Sequence, residues 1–420
     1  MKSYFMNVLT MKHLSKRSQI KKRIKVWLKT IDQGLSLVAR GLIKIYQWTL
    51  SPDEGIFSSV LKGRICHHTP HCSQYGMEVL ERYGFFRGLW MITDRILACK
   101  PSLSMTYDPS HYSVVFFSSA EIGVPFLEIL KNDPRFEVTG IVTQGDKPFG
   151  RGMQLKENII KEKARAFFPE QSDFSSFIQT PETLRKNTEG GDAFYQWLKA
   201  KNPDFLVVIA YGNILTKRIL EIPQFWAINI HGSLLPKYRG ASPLQTVFLE
   251  KEKETWITIM KMDVWMDTGA IIDSLKIKIS FHRTTADLIE TFKEVGPDFF
   301  ADTLWNFGKG LLEAEPQDES QATYCKKIEK SDGEINPCED TLEEIYAKYR
   351  AFFLRPKIRF SRKGKKVIVE ALKLDEATFE THKKSPLFQG KTLNPSILSI
   401  SVKPEGKKAM DWKSFCNGYC

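Results

Sequence analysis

No Asp or Glu occurs in the first thirty residues, where nine Lys or Arg stand. Residues 1–23 therefore read as a basic tail, and no compact apolar core followed by small residues marks a secretory signal there. Long apolar runs are missing as well. The best stretch, Leu35 to Leu50, is interrupted by Arg40 and Lys44, which argues against a transmembrane anchor. Cysteine is scarce and odd in number, seven in 420 residues, which points to a reducing compartment rather than a disulfide framework. No pair has the Cys-x-x-Cys spacing of common zinc sites, so no metal is expected.

What is present begins with length and charge. The 420 residues are too many for one ordinary core and suggest about two to four domains. A formal charge of +12 favours an acidic partner, either nucleic acid or an anionic membrane surface. Behind the tail, Ile24, Leu28, Ile31, Leu35, Val38, Leu42 and Ile45 recur at spacings of four and three, which puts them on one stripe of a helix. Lys25, Lys29, Arg40 and Lys44 lie off that stripe. Two readings stand side by side: a domain helix that buries its apolar face, or a basic amphipathic helix lying on an anionic membrane.

From Val114 onward short β-rich runs alternate with helical segments. Val114–Phe117, Phe136–Val142, Phe205–Ala210, Ala227–Ile230 and Trp256–Met260 read as buried strands, with helices near Val124–Asn132, Ala193–Ala200 and Thr284–Phe307. Such alternation predicts an α/β fold with a mostly parallel, twisted sheet. Ligands of such sheets gather beyond the strand C-terminal ends. The acidic, polar segment from Glu315 to Ala322 reads as a linker. After it, Thr341–Phe353 reads as a helix and Val367–Leu372 and Ser396–Val402 as strands, with basic clusters at Arg362 to Lys366 and at Lys407 and Lys408. A small β-barrel is the expectation there, and basic residues on such a barrel suit nucleic acid.

The chemistry is concentrated in Ala-Ile-Asn229-Ile-His231-Gly-Ser-Leu-Leu-Pro236-Lys-Tyr-Arg-Gly240 and Met-Asp267-Thr-Gly269-Ala. Asn229 and His231 sit two apart in a strand-like run, so their side chains share a face. Fixed N–H donors of this kind hold the oxyanion of a tetrahedral intermediate. A carboxylate such as Asp267 orients an imidazole and helps take a proton from an attacking amine. By itself the trio indicates acyl or formyl transfer to an unspecified amine.

This block, together with Gln144-Gly-Asp-Lys-Pro-Phe-Gly-Arg-Gly152, Ala210-Tyr-Gly212 and Gly406-Lys-Lys-Ala-Met410, closely resembles the methionyl-tRNA formyltransferase family. The resemblance implies transfer of formyl from 10-formyltetrahydrofolate to initiator methionyl-tRNA, with Asn229, His231 and Asp267 catalytic. It carries folate contact onto Ser233, Leu234, Leu235 and Pro236 and onto Tyr211, Gly212, Asn213, Ile214 and Leu215. It carries tRNA contact onto Lys147, Arg151, Lys407 and Lys408. The implied organisation is a Rossmann-like catalytic domain over 113–315, a linker over 316–324 and an OB-like domain over 325–420. Phe117-Ser-Ser-Ala-Glu-Ile-Gly123 departs from the Gly-Thr-Pro-Glu-Phe-Ala expected for the first loop.

A second pattern precedes it: Cys66-His-His-Thr-Pro-His71-Cys72-Ser-Gln-Tyr75-Gly76, then Arg95, Cys99 and Pro101. It resembles the membrane protein insertion efficiency factor family, which implies a small helical domain over 24–110 with a role at the bacterial inner membrane. The implied location is cytoplasmic, peripheral on the cytoplasmic face of that membrane. Cys66, Cys72 and Cys99, with His67, His68 and His71, offer soft metal ligands, and the same cysteines could pack as small hydrophobes or pair on oxidation. Two other functions remain open at this stage: a formyltransferase acting on a small amine, and a non-enzymatic membrane-insertion helper with a decayed transferase half.

Overall fold

In the computed structural model the described residues are 27–49, 51, 68–98, 106–149, 153–389 and 392–419. The tail 1–23, Ile24, Cys66, His67, Cys99 and Arg151 lie outside them. The chain divides into two units, 1–111 and 112–420, each taken here by itself.

In the first unit, residues 27–49 form α1, Cys72–Tyr83 form α2 and Phe85–Ala98 form α3. The apolar stripe of α1 is not its packed face: Leu28, Ile31, Leu35, Val38, Leu42 and Ile45 are all exposed. Packing falls on the opposite, smaller and more polar side. Ser36 Oγ donates to the Leu80 carbonyl, Arg40 pairs with Glu81 at 3.0 Å, and Asp32 accepts the Phe86 N–H at 3.0 Å. Small and polar residues let α1 approach the α2–α3 hairpin closely, which overturns the buried-stripe reading. Helix α3 also turns Phe86, Trp90 and Leu97 outward. The buried Arg95 ties the unit together by donating to the carbonyls of Asp108 at 2.7 Å and Pro70 at 2.5 Å. Its guanidinium lies 4.0 Å from the centre of the Tyr75 ring. Burial, aided by the charge of Asp108, pushes the Tyr75 hydroxyl up to about 12.

The second unit is built on a seven-stranded sheet. Its strands are β1 (Tyr112–Phe117), β2 (Phe136–Val142), β3 (Ile178–Gln179), β4 (Phe205–Val208), β5 (Trp226–His231), β6 (Glu254–Lys261) and β7 (Ile271–Lys278). Their order across the sheet is β7-β6-β5-β4-β1-β2-β3. The five strands from β5 to β3 run parallel, while β6 and β7 pair antiparallel. Val114, Phe116 and Ile141 enter one apolar cluster and Val115, Phe117 and Val142 another. Burial on both faces is why the parallel strands read as unbroken apolar runs. Helix α4 (Val124–Asn132) and the long α8 (Thr285–Gly308) cover the first cluster, and α6 (Glu189–Lys201) covers the second, with α5 (Ile159–Phe167) and α7 (Pro243–Leu249) completing the first. A capping box at Thr284 and Asp287 opens α8.

Beyond α8 come α9 (Leu342–Ala351) and a four-stranded antiparallel sheet, β8 (Arg359–Arg362), β9 (Lys365–Leu374), β10 (Ile397–Pro404) and β11 (Met410–Asp411), closed by α10 (Trp412–Tyr419). One apolar cluster runs from Tyr112 through Phe300 and Phe352 to Phe415. Arg350 of α9 fastens the join: its guanidinium donates to the carbonyls of Arg283 at 2.7 Å and Ser280 at 2.9 Å, 4.7 Å from the Phe248 ring centre.

Candidate active site

Strand β5 places Asn229 opposite Met260 and His231 opposite Thr258 of β6. The loop 262–270 between β6 and β7 then carries Asp267 to both. Asn229 Nδ2 lies 3.4 Å from Asp267 Oδ1, and His231 Nδ1 lies 3.7 Å from Asp267 Oδ2. The three expected residues thus converge. They do so along β5 and not wholly beyond the parallel strand ends, because antiparallel β6 and its return loop supply the carboxylate.

The second nitrogen of His231 is already used. Nε2 stands 3.1 Å from the Tyr238 carbonyl, and a carbonyl only accepts, so Nε2 carries the proton. The atom facing Asp267 is therefore Nδ1. At 3.7 Å the ring and carboxylate are too far apart for a direct hydrogen bond. Asp267 is held by others: the Gly240 N–H donates to Oδ2 at 2.8 Å, and Gln317 Nε2 donates to its main-chain carbonyl at 2.8 Å.

The backbone around these atoms is strained. Asp267, Tyr238 and Gly240 have φ of 57°, 60° and 122°, a region costly for residues with side chains. A side chain at Gly240 would strike the Cys325 carbonyl at 2.3 Å, and one at Gly269 the Lys261 carbonyl at 1.8 Å. Burial and a hydrogen bond to Glu252 raise the Tyr238 hydroxyl well above its ordinary pKa and fix the residue whose carbonyl holds His231.

A buried arginine supports the carboxylate loop. Arg239, fully enclosed, makes a two-pronged pair with Glu319 at 2.7 and 2.8 Å and donates to Gln317 Oε1 at 2.8 Å. Glu319 holds the guanidinium above its usual pKa, and Arg239 holds the Glu319 carboxyl below its own. Sequence reasoning missed Arg239, Gly240 and Gln317. The first two stand in the quoted block, but Gln317 lies in the segment read as a linker, where nothing local marks it.

Of the residues expected at folate, Ser233, Leu235, Tyr211 and Leu215 are buried, while Gly212, Asn213 and Ile214 are exposed and Leu234 and Pro236 are half-buried. Ser233 Oγ is engaged with the Lys237 carbonyl at 2.7 Å. Gln144 Nε2 donates to the Tyr211 carbonyl at 2.9 Å and so ties this loop to the end of β2. Lys147 lies in a two-stranded ribbon, 147–149 against 154–156. Lys407 and Lys408 are exposed on the turn between β10 and β11. Val367 pairs with Pro404 and the Glu405 N–H donates to the Lys366 carbonyl at 2.8 Å, which sets the exposed Lys363, Lys365 and Lys366 beside that turn. Among the described residues no cluster of three metal-binding side chains occurs.

Two family matches define the class, a formyl transferase: residues 113–304 match the Formyl transferase family and 327–420 the Formyl transferase, C-terminal domain family. Residues 35–111 match the membrane protein insertion efficiency factor family. The methionyl-tRNA formyltransferase of Caldicellulosiruptor saccharolyticus is 33% identical over 316 residues, covering 73% of this chain and 96% of that protein. That of Campylobacter curvus is 36% identical over 292 residues, 67% and 88% of the two chains. The chain belongs to the methionyl-tRNA formyltransferase family. Among solved structures, HypX from Aquifex aeolicus in complex with tetrahydrofolic acid is similar over 73% of this chain and 47% of that one, at 13% identity and a TM-score of 0.47.

Proposed function

We propose that this chain transfers the formyl group of 10-formyltetrahydrofolate to the α-amino group of initiator methionyl-tRNA. The observation that carries the reading is the meeting of Asn229, His231 and Asp267 around one gap. An α-amino group has an ordinary pKa of about 7.7–8.0, so a neutral fraction is present near neutrality and alignment matters more than a strong base. The amine nitrogen bonds to the formyl carbon and the carbon–N10 bond breaks. An amine proton passes to Asp267 and from there to N10 of the departing tetrahydrofolate. One N–H of Asn229 faces Asp267 and the other serves the oxyanion. His231 lines the same gap through Nδ1, its ring held in place by the Tyr238 carbonyl.

Folate sits along the loop Gly212 to Ile214 and the backbone of Ser233 to Pro236, with the buried Leu235, Tyr211 and Leu215 shaping the wall. The tRNA runs over Lys147 and Arg151 and over the paired lysine turns with Lys407 and Lys408, on a C-terminal domain of OB-like barrel type. Loss of phosphate contacts on this path lowers affinity in a salt-dependent way. The catalytic domain spans 113–315 and the C-terminal domain 325–420, joined by 316–324, which also braces the carboxylate loop through Gln317. The test is transfer of labelled formyl to initiator methionyl-tRNA, elongator methionyl-tRNA and small amines. Preferential labelling of the initiator is expected, and labelling of small amines alone would sink the proposal.

A second role is favoured by α1. Its exposed apolar stripe, flanked by Lys29 and Lys44, suits the interface of an anionic membrane. No described helix is long and apolar enough to cross one. The insertion-factor domain, over 24–110, lies with this helix peripherally on the cytoplasmic face of the inner membrane, where its membrane-insertion role would be exercised.

A further inference from the structure

We infer that Trp265 and Tyr324 form a stacking platform for the terminal nucleoside of the acceptor, an inference that rests on the reading of tRNA as substrate. Both rings point outward, Trp265 74% and Tyr324 70% exposed. Exposed aromatic rings grouped around one cleft are a mark of binding surface. Trp265 lies in the loop that delivers Asp267, and its neighbours Val264 and Met266 are exposed too. A cleft of about 540 Å³ is lined by Asp263, Trp265, Met266, Thr268, Glu319 and Tyr324. Met266 and Thr268 flank Asp267 in sequence, so the cleft is lined by the same loop that carries the carboxylate assigned to the amine.

The lining specifies the occupant. It holds two aromatic rings and a thioether, two carboxylates, and no Lys or Arg. Arg239 is buried and spent on Glu319, so a phosphate would meet the two carboxylates with no cation on the lining, which disfavours it. A flat, neutral group that donates hydrogen bonds fits instead: a purine stacks on aromatic faces while its exocyclic amine and ribose hydroxyls donate to carboxylates. The volume lies within the range of small-ligand sites. Base stacking on aromatic side chains is sequence-tolerant and suits single-stranded ends.

The walls are fixed beforehand. Buried Arg239 grips Glu319 at 2.7 Å and pairs in register with Tyr324, with Nη1 3.5 Å from the Tyr324 hydroxyl. On the facing side Thr268 Oγ1 donates to the Trp265 carbonyl at 3.2 Å, and the Val264 N–H donates to Asp263 at 2.6 Å. The loop that carries Asp267 and Trp265 and the wall that carries Tyr324 are thus both tied to Arg239, the first through Gln317, so a nucleoside seated here sets the ester-linked amino acid near Asp267.

The experiment uses the full chain and methionyl-tRNA carrying 2-aminopurine in place of its terminal adenine. Binding to the wild type quenches the probe by stacking. Trp265→Ala abolishes most of the quench and raises KM for tRNA about 5- to 150-fold, leaving KM for the formyl donor unchanged. Tyr324→Ala acts in the same direction, and Trp265→Phe restores part of the effect. Because both side chains are exposed, loss of folding is checked simply by the unchanged donor KM. A quench and tRNA KM that survive Trp265→Ala overturn the inference, as does a rise confined to the donor KM, which would assign the cleft to folate. Absence of transfer to methionyl-tRNA by the wild type overturns the functional proposal instead.

Discussion

His231 shows how far a single residue's role depends on its second hydrogen bond. The strand spacing in Asn229-Ile-His231 predicts a shared face, and the structure delivers both side chains to Asp267. Nothing in the spacing says that Nε2 is spent on the Tyr238 carbonyl, because that contact depends on the left-handed turn at Tyr238. The consequence is that His231 presents Nδ1 to Asp267, and the proposed mechanism uses that atom. His231→Ala should lower single-turnover formyl transfer about 10²–10³-fold, a loss comparable to that of one oxyanion donor, with tRNA affinity little changed. Near-normal turnover in a folded variant would remove His231 from the mechanism.

At the level of elements, legibility followed burial. Strands β1, β2, β4 and β5 and helices α4 and α8 were readable because both sheet faces are covered and the apolar runs are continuous. Edge strand β7 was not, since its exposed positions interrupt the apolar signal. The spacing in helix α1 locates an apolar face and leaves open whether its own domain or a membrane covers it, and the exposure of Leu28, Val38 and Leu42 removes only the first of those readings. The segment 316–324 looked like a linker because acidic, polar residues usually are solvated, whereas Gln317 and Glu319 bind a buried arginine 78 and 80 residues away. That pairing has a pH signature. Arg239 depresses the Glu319 pKa, so the pair's stabilisation is complete above the ordinary Glu value of about 4.3 and is lost as pH falls through the lower folded value. The urea midpoints of wild type and Glu319→Gln should therefore differ at pH 6 and converge toward pH 3. A constant difference across that range would show that the ion pair does not couple to folding.

For the whole molecule the question is what one chain gains from an acylating unit and a unit with an uncovered apolar helix. The charge surplus of +12 serves both partners proposed here, since tRNA and an anionic bilayer are polyanions. They differ in what else they need. A bilayer also takes up apolar side chains, and Leu42, 63% exposed, has no cover in its own unit, so Leu42→Glu should release the protein from phosphatidylglycerol vesicles without lowering the rate of formyl transfer. Each lysine near an anionic surface contributes about 1 kcal/mol. Lys29→Gln with Lys44→Gln should accordingly weaken vesicle binding about 30-fold, and the loss should vanish on phosphatidylcholine vesicles, which carry no net charge. Co-sedimentation at fixed ionic strength, with formyl transfer assayed on the same samples, separates the cases. Vesicle binding unaffected by Leu42→Glu would mean that the stripe meets a protein partner, and a parallel fall in transfer would mean that α1 serves the enzyme itself.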